Sequence, residues 1–210
     1  MNWIKDFIPT LKQNLSKTFG KDSNSKIPEG LWKSCEKCGS ILYIPELKKN
    51  SYVCSKCSNH FKINVSERIE ITFDENTYSS LNEKEEFKDY LKFIDTKKYK
   101  DRFHEALKKS KTDEALSIGT GKIKDREIVV AIFEFDFLGG SMGAVVGKRF
   151  VKAVEHSIEK KIPLISFSTS GGARMQESMI SLFQMGKTAA SIKKLKNRKI
   201  PFISVLVDPC

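Results

Sequence analysis

The sequence has no apolar run long enough to cross a membrane. Its longest such runs, IVVAIF at 128–133 and FISVLV at 202–207, contain six residues each, whereas a membrane-spanning helix needs about 20. The first residues, MNWIKDFIPTLKQNL, are amphipathic, but they have neither the continuous apolar core nor the small-residue cleavage site of a secretion signal. We therefore expect a cytoplasmic protein without a membrane span.

Groups that commonly carry catalysis are also scarce. The chain has three histidines, and His104 and His156 have no obvious partner in the sequence. No Ser/His/Asp set or carboxylate pair accompanies STSGGARMQES at 168–178, which follows the apolar run IPLISF. Any chemistry at this segment is therefore expected to come from the backbone.

Acidic residues are fewer than basic ones. There are 26 Asp and Glu against 37 Lys and Arg, which gives a formal net charge of +11. The stretch 178–207 contains no acid at all, while it carries Lys187, Lys193, Lys194, Lys196, Arg198 and Lys199. This charge favours an anionic partner, such as nucleic acid, a phosphate-bearing cofactor or an acidic protein surface. A merely solvated lysine-rich surface is an equally simple interpretation.

Composition divides the chain into four predicted parts. Residues 1–30 combine the amphipathic N-terminal segment with a polar linker, and residues 31–66 form a cysteine-bearing unit. Residues 67–113 are highly charged with apolar residues at helical spacing, which predicts a helical connector. In residues 114–210, a hairpin around KDRE is followed by strand, helix, strand, helix and strand. This order predicts an α/β domain with parallel strand pairing.

Two helices of this predicted domain carry recognisable apolar positions. The first follows GGSMG at 139–143 and keeps one face apolar through Val146, Phe150, Val151, Val154 and Ile158. The second is expected to start directly after Gly171–Gly172. Its apolar residues are Met179, Leu182, Phe183, Ile192 and Leu195.

Four cysteines have the spacing of a metal site. Cys35 and Cys38, then Cys54 and Cys57, form a C-x2-C-x15-C-x2-C pattern. Two such pairs on tight turns can surround one Zn²⁺ tetrahedrally. The alternatives are two disulfides, which are rare in a reducing compartment, or unconnected thiols. Because four thiolates leave no position for water, the sequence predicts one structural Zn²⁺ per chain.

The glycines beside the predicted helices have two possible roles. At Gly171–Gly172, exposed backbone N–H groups at a helix start could bind a developing oxyanion, or the glycines could only shape a tight turn. Arg174 could pair with a substrate phosphate or carboxylate, or with Glu177. The GGSMG segment does not fit a nucleotide-binding motif, so we expect Gly139, Gly140 and Ser141 to line a ligand groove.

Several stretches together resemble one known family. IPEGLWKSCEKCGSILYIPELKKNSYVCSKCSNHFKI, FEFDFLGGSMGAVVGKRFVKAVEHSI, ISFSTSGGARMQES and PFISVLVDP are similar to the β subunit of bacterial-type acetyl-coenzyme A carboxylase carboxyltransferase. The resemblance implies a crotonase-like domain of ββα units joined to an N-terminal four-cysteine zinc ribbon. It also implies backbone N–H donors at Gly171, Gly172 and Ala173 that hold a thioester oxygen.

The resemblance implies an activity and partners as well. That enzyme moves a carboxyl group from carboxybiotin on the biotin carboxyl carrier protein to acetyl-CoA, forming malonyl-CoA for fatty acid biosynthesis. Its β subunit works with an α subunit of similar fold, two copies of each, while a separate biotin carboxylase performs the ATP-driven step. The family's second donor loop follows the Asp-Pro pair, here Asp208–Pro209–Cys210. We therefore expect an incomplete crotonase-like domain that is not active alone.

A nucleic-acid-binding zinc ribbon is the alternative function. Its basis is the net charge of +11 and a group of lysines around the cysteines, namely Lys33, Lys37, Lys48, Lys49 and Lys56. Phosphate contacts of this kind would make the affinity fall steeply with salt.

Overall fold

The N-terminal unit is a small ribbon. The structure, a computed structural model, describes residues 30–210, so the amphipathic segment and nearly all of the linker predicted at 1–30 lie outside the described residues. Strands β1 (Trp32–Ser34) and β2 (Ile41–Tyr43) pair in antiparallel fashion and lead into helix α1 (Ile44–Lys49). A buried cluster of Cys35, Leu42, Leu47, Tyr52 and Cys54 gives this unit a core of its own.

A five-stranded sheet forms the centre of the larger unit. Its spatial order is β3 (Ser79–Ser80), β4 (Leu116–Ile123), β5 (Arg126–Phe133), β6 (Leu164–Ser168) and β7 (Phe202–Leu206). The first three strands are antiparallel and the last three are parallel. The predicted hairpin is present, and Lys124 and Asp125 at its tip both have positive φ, as a two-residue type I′ turn requires.

Two helices connect the parallel strands. Helix α4 (Ala144–Lys160) lies between β5 and β6, and helix α5 (Met179–Asn197) lies between β6 and β7. Two shorter helices precede the central strands, α2 (Val65–Thr72) and α3 (Tyr99–Ser110). The predicted alternation of strands and helices is confirmed, and with it the α/β class.

The sheet is covered on both faces. Along β5, Val129 and Ala131 join one core cluster, which includes α4, while Ile128, Val130 and Ile132 join a second cluster with Val65 of α2. This alternation follows from the two-residue period of a strand. In residues 30–210, no helix has the length and apolar character needed to span a bilayer.

Candidate active site and metal centre

The four predicted metal ligands come together in the ribbon. The Sγ atoms of Cys35, Cys38, Cys54 and Cys57 all lie within 4.8 Å of one another. The Cys35–Cys57 and Cys38–Cys54 Sγ separations are 3.6 and 3.8 Å. A tetrahedral ion with Zn–S bonds of about 2.3 Å requires sulfur atoms about 3.8 Å apart. The thiol arrangement therefore fits Zn²⁺, and it is far wider than the roughly 2.05 Å of a disulfide.

Two matching turns produce this arrangement. The Gly39 N–H donates to the Cys35 carbonyl at 2.8 Å, and the Ser58 N–H donates to the Cys54 carbonyl at 2.9 Å. Gly39 and Ser58 both have positive φ, so each chain segment bends back directly after its second cysteine. The contact of Cys38 with the Ser40 hydroxyl lowers the pKa of that thiol to about 6, which favours the thiolate form that binds metal.

The two glycine segments singled out from the sequence lie side by side. We call residues 139–143 the GGSMG loop and residues 170–174 the SGGAR loop. The Gly171 N–H donates to the Gly139 carbonyl at 2.8 Å, and the Met142 N–H donates to the Gly172 carbonyl at 2.8 Å. The Arg174 N–H donates to the Met142 carbonyl at 2.9 Å. Each loop is thus the hydrogen-bonding partner of the other.

The expected helix start after the diglycine is wrong. A short 3₁₀ turn at Met175–Glu177 intervenes, and α5 begins at Met179, where Ser178 has φ 48°. The reason is the pairing of the loops, because the SGGAR loop stays extended while it bonds to the GGSMG loop. The amides of Gly171 and Gly172 therefore do not belong to a helix N-terminus.

The three predicted oxyanion donors differ in their availability. The Gly171 N–H donates to the Gly139 carbonyl, whereas the N–H of the exposed Gly172 has the nearby Ser170 hydroxyl, at 3.0 Å, as its one acceptor within residues 30–210. Ala173 lies opposite Met142 in a parallel bridge. The hydrogen bonds of this bridge are made by the Gly172 carbonyl and the Arg174 N–H, both with Met142. The Ala173 N–H therefore points away from the GGSMG loop and has no acceptor in residues 30–210. Ala173 and Gly172 are the better-placed candidates.

The close contact of the GGSMG loop with residues 169–177 requires glycine at two of its positions. A Cβ atom on Gly140 would lie 2.7 Å from the Thr169 carbonyl oxygen. A Cβ atom on Gly143 would lie 2.6 Å from Glu177 Oε1 and 2.8 Å from Arg174 Nη1. Since real Cβ contacts are longer than this, both positions need glycine for the loops to meet.

Arg174 lies inside the protein. It is 1% exposed, and its guanidinium group forms ion pairs with Glu114 at 2.5 Å and Glu177 at 3.3 Å. Burial alone would lower its pKa, but the Glu114 carboxylate reverses this effect and raises it. Of the two roles considered from the sequence, the ion pair with Glu177 is the one that the structure contains. The same guanidinium group also holds the predicted groove residue Ser141, donating to its carbonyl at 3.0 Å.

A cavity of about 630 Å³ lies between the ribbon and the ends of β5, β6 and β7. Ligands commonly bind outside the carboxyl ends of strands in open α/β sheets. Basic side chains at its wall include Lys33, Lys62 and Arg68, while Thr169 connects it to the start of the SGGAR loop. Sequence reasoning missed this cavity, because nothing in the spacing of the residues shows where the ribbon packs on the sheet.

Family comparisons agree with this architecture. Residues 62–210 match the family described as "Carboxyl transferase domain". The chain belongs to the carboxyl transferase family. Residues 32–57 match the "Acetyl-CoA carboxylase zinc finger domain", so the ribbon with its cluster of four cysteines is a structural zinc site.

Solved structures show the same fold. A transcarboxylase 12S hexamer with bound methylmalonyl-coenzyme A has a TM-score of 0.55 and 25% identity, covering 71% of this chain and 26% of that one. A Pseudomonas malonate decarboxylase heterodimer has a TM-score of 0.51 and 20% identity, with coverages of 70% and 53%. The β subunit of P. aeruginosa geranyl-CoA carboxylase has a TM-score of 0.51 and 15% identity, with coverages of 77% and 26%.

These similarities confirm the crotonase-like α/β fold with an N-terminal cluster of four cysteines. The chain spans about a quarter of the transcarboxylase chain and about half of the malonate decarboxylase chain. Related carboxyltransferases work as multi-subunit assemblies, as the hexamer and the heterodimer show.

Proposed function

We propose that this chain is the β subunit of an acetyl-CoA carboxylase carboxyltransferase. It would transfer the carboxyl group of carboxybiotin, on the biotin carboxyl carrier protein, to acetyl-CoA and so form malonyl-CoA for fatty acid biosynthesis. The observation that carries this proposal is the presence, in one chain, of the acetyl-CoA carboxylase zinc ribbon and a carboxyl transferase domain. Coenzyme A thioesters named for two of the similar structures agree with it.

The backbone of the SGGAR loop can supply the main catalytic contribution. Removal of an α-proton from acetyl-CoA leaves an enolate, whose oxygen needs hydrogen-bond donors held in place beforehand. The N–H groups of Ala173 and Gly172 would bind this oxygen, and Gly172 leaves room for the thioester. Carboxybiotin would supply the carboxyl group: cleavage of its N–C bond would free the ureido nitrogen to accept the α-proton, and the enolate carbon would then bond to the released CO2.

The cavity between ribbon and sheet is the candidate site for the coenzyme A portion. Its wall has both signs of charge, and the basic side chains Lys33, Lys62 and Arg68 are the candidates to bind phosphate groups, beside the acidic Glu67, Glu134, Asp136 and Asp208. Lys33 and Arg68 are held over the rings of Phe61 and Phe167 at 5.1 and 5.2 Å. The cavity begins at Thr169, next to the SGGAR loop. A thioester lying there could reach the proposed donors, and the zinc would act by holding the ribbon wall in shape.

The exposed apolar side chains around the start of α5 support a partner of similar fold. Four large ones are between 46% and 67% exposed, namely Met175, Met179, Leu182 and Phe183. Exposed apolar patches of this kind mark interaction surfaces. We propose that the carboxyltransferase α subunit covers this face in an assembly of two α and two β subunits. Biotin carboxylase and the carrier protein would complete the enzyme.

Reconstitution tests the proposed function. The chain is co-purified with the matching carboxyltransferase α subunit. Malonyl-CoA is then measured after addition of acetyl-CoA and carboxybiotin-loaded carrier protein. We expect product from the complex and none from either subunit alone. Propionyl-CoA in place of acetyl-CoA is expected to react more slowly. A folded complex that carboxylates propionyl-CoA but not acetyl-CoA would overturn the substrate assignment.

Nucleic-acid binding by the ribbon stays a prediction. Two of the five lysines on which it rests have protein contacts, because Lys48 pairs with Glu70 at 2.9 Å and Lys33 lies over Phe61. Lys37, Lys49 and Lys56 are exposed. Gel-shift titrations at several salt concentrations test it, and no retention at low salt would remove this function.

A further inference from the structure

We propose that four buried side chains position the hydrogen-bond donors of the SGGAR loop. These side chains, which we call the buried quartet, are Tyr99, Glu114, Arg174 and Glu177. Their role as positioning residues rests on the function proposed above. All four are buried, so they would act on the reaction through the backbone.

Arg174 is the centre of the quartet. Its two terminal nitrogens lie 3.1 and 2.5 Å from the two carboxylate oxygens of Glu114, as in a bidentate pair. It also donates to Glu177 Oε1 at 3.3 Å and to the Tyr99 hydroxyl at 3.2 Å. Tyr99 in turn donates to Glu177 Oε1 at 2.8 Å. The four side chains are between 1% and 5% exposed, so these contacts are shielded from water.

The quartet joins segments that are distant in the sequence. Tyr99 is the first residue of α3, and Glu114 precedes β4, where it also accepts the Ala115 N–H at 2.8 Å. Glu177 Oε2 accepts the N–H of Ala144, the first residue of α4, at 2.6 Å. Arg174 holds the GGSMG loop through the Ser141 carbonyl. Both glycine loops are thereby fixed to the rigid part of the domain.

The charges of the quartet explain why Glu177 lies at this place. One guanidinium group faces two carboxylates, which leaves an excess negative charge in a buried site. The N-terminus of α4 carries the positive end of a 17-residue helix dipole. Its N-cap residue, Gly143, has no side chain to bind the free N–H groups, and the Glu177 carboxylate takes this role. Glycine at 143 is needed because a Cβ atom would collide with Glu177 and Arg174.

This arrangement determines the direction of the Ala173 N–H. Arg174, the next residue, binds the GGSMG loop through both its main chain and its side chain, at the Met142 and Ser141 carbonyls. The Ala173 N–H lies in the same peptide plane as the Gly172 carbonyl, which accepts the Met142 N–H at 2.8 Å, so this N–H keeps its direction while the two loops stay paired. Displacement of a reacting group by about 1 Å can slow a reaction about 10²-fold.

Glu177→Gln tests the proposal in the assembled complex. We expect kcat to fall roughly 10²-fold while the KM for acetyl-CoA changes less than about 3-fold, because donors are misplaced and substrate contacts are kept. Hydrogen–deuterium exchange at the amides of Met142 and Arg174 should accelerate. Tyr99→Phe is a milder second variant, and we expect a kcat loss of about 5- to 10-fold, since it removes the two hydrogen bonds of the hydroxyl, from Arg174 and to Glu177, without changing the ring.

Arg149→Lys is the matched control. Arg149 is also buried, pairs with Asp113 and donates to the Leu116 carbonyl, yet it contacts neither glycine loop. We expect it to lower thermal stability and leave kcat within about 3-fold. An equal kcat loss in this control would show a general folding effect and overturn the proposal. Unchanged hydrogen–deuterium exchange at the Met142 and Arg174 amides in Glu177→Gln would also overturn the proposal. This readout does not depend on activity, so it applies even if the wild-type complex lacked the proposed activity.

Discussion

Helices α4 and α5 occupy equivalent places between parallel strands, but they bury opposite kinds of residue. The buried positions of α4 are largely apolar and include Val146, Phe150, Ala153 and Val154. Those of α5 are Ser181, Gln184, Thr188, Ser191 and Leu195, whereas Met179, Leu182, Phe183 and Met185 are exposed. Only α4 therefore has the pattern of a helix that completes its packing within the described chain.

Three of the four buried polar side chains of α5 form local hydrogen bonds, while Gln184 donates to the Ile180 carbonyl but has no donor for its Oε1 in residues 30–210. The hydroxyls of Ser181, Thr188 and Ser191 donate to carbonyls three residues earlier in the chain, at 2.7 to 3.1 Å. Because these side chains are small and already bonded, α5 can approach α4 closely. The difference between the helices indicates that the apolar face of α5 is free to pack against another surface, for which the α subunit is the occupant proposed above.

The stability loss caused by an added charge should show the largest difference between α4 and α5. Val154→Asp would place an unpaired carboxylate in the main core, where Val154 is 0% exposed. We expect a loss of about 4 kcal/mol or more in the free energy of unfolding, measured by urea denaturation. Phe183→Asp, at an α5 position that is 67% exposed, should cost less than about 1 kcal/mol in the isolated chain. Equal losses would contradict the comparison.

In binding to the α subunit, the exposed position of α5 should matter more than an exposed position of α4. Phe183→Asp is expected to weaken binding to the α subunit by about 2–4 kcal/mol, at least a roughly 30-fold rise in Kd, because large aromatic residues dominate such interfaces. Titration calorimetry or sedimentation would measure it. Lys160→Asp, at the exposed end of α4, is the control and should change Kd less than about 3-fold. An unchanged Kd for Phe183→Asp would place the interface elsewhere.

The contact between the helices should be sensitive to a single methyl group. A Cβ atom on Gly147 of α4 would lie 2.8 Å from Gln184 Cδ and 2.9 Å from Gln184 Cβ. Gly147→Ala should therefore destabilise the chain by roughly 1–3 kcal/mol through overpacking. Gly186→Ala in α5 meets no atom within 4 Å and should stabilise it by up to about 1 kcal/mol. Changes of the same sign in both variants would contradict the close packing.

Much of the architecture could be predicted from local patterns. The spacing of Cys35, Cys38, Cys54 and Cys57 was enough for the metal site, since the ligands lie on two tight turns. The apolar stripe of α4 predicted its buried face, because Val146, Phe150 and Val154 follow the helical period. The same reasoning marked the apolar positions of α5, but periodicity cannot show which face of a helix has a neighbour.

The candidate site was harder to predict, because it depends on contacts between distant residues. The spacing of Gly171 and Gly172 suggested a helix start, but the hydrogen bonds to residues 139 and 142 keep this segment extended. Nothing in the sequence placed Glu114 or Tyr99 beside Arg174, since they are 60 and 75 residues away in the chain. Only the folded sheet brings the two glycine loops together.

Removal of the Ala173 N–H group is the most direct test of the proposal that backbone amides stabilise the enolate. Ala173→Pro removes this donor, whereas Ala173→Ser keeps it and changes the side chain by one hydroxyl. In the reconstituted complex, we predict that the proline variant lowers kcat for malonyl-CoA formation roughly 10²- to 10³-fold, and that the serine variant stays within about 3-fold of wild type. A folded, assembled Ala173→Pro complex with unchanged kcat would contradict the account.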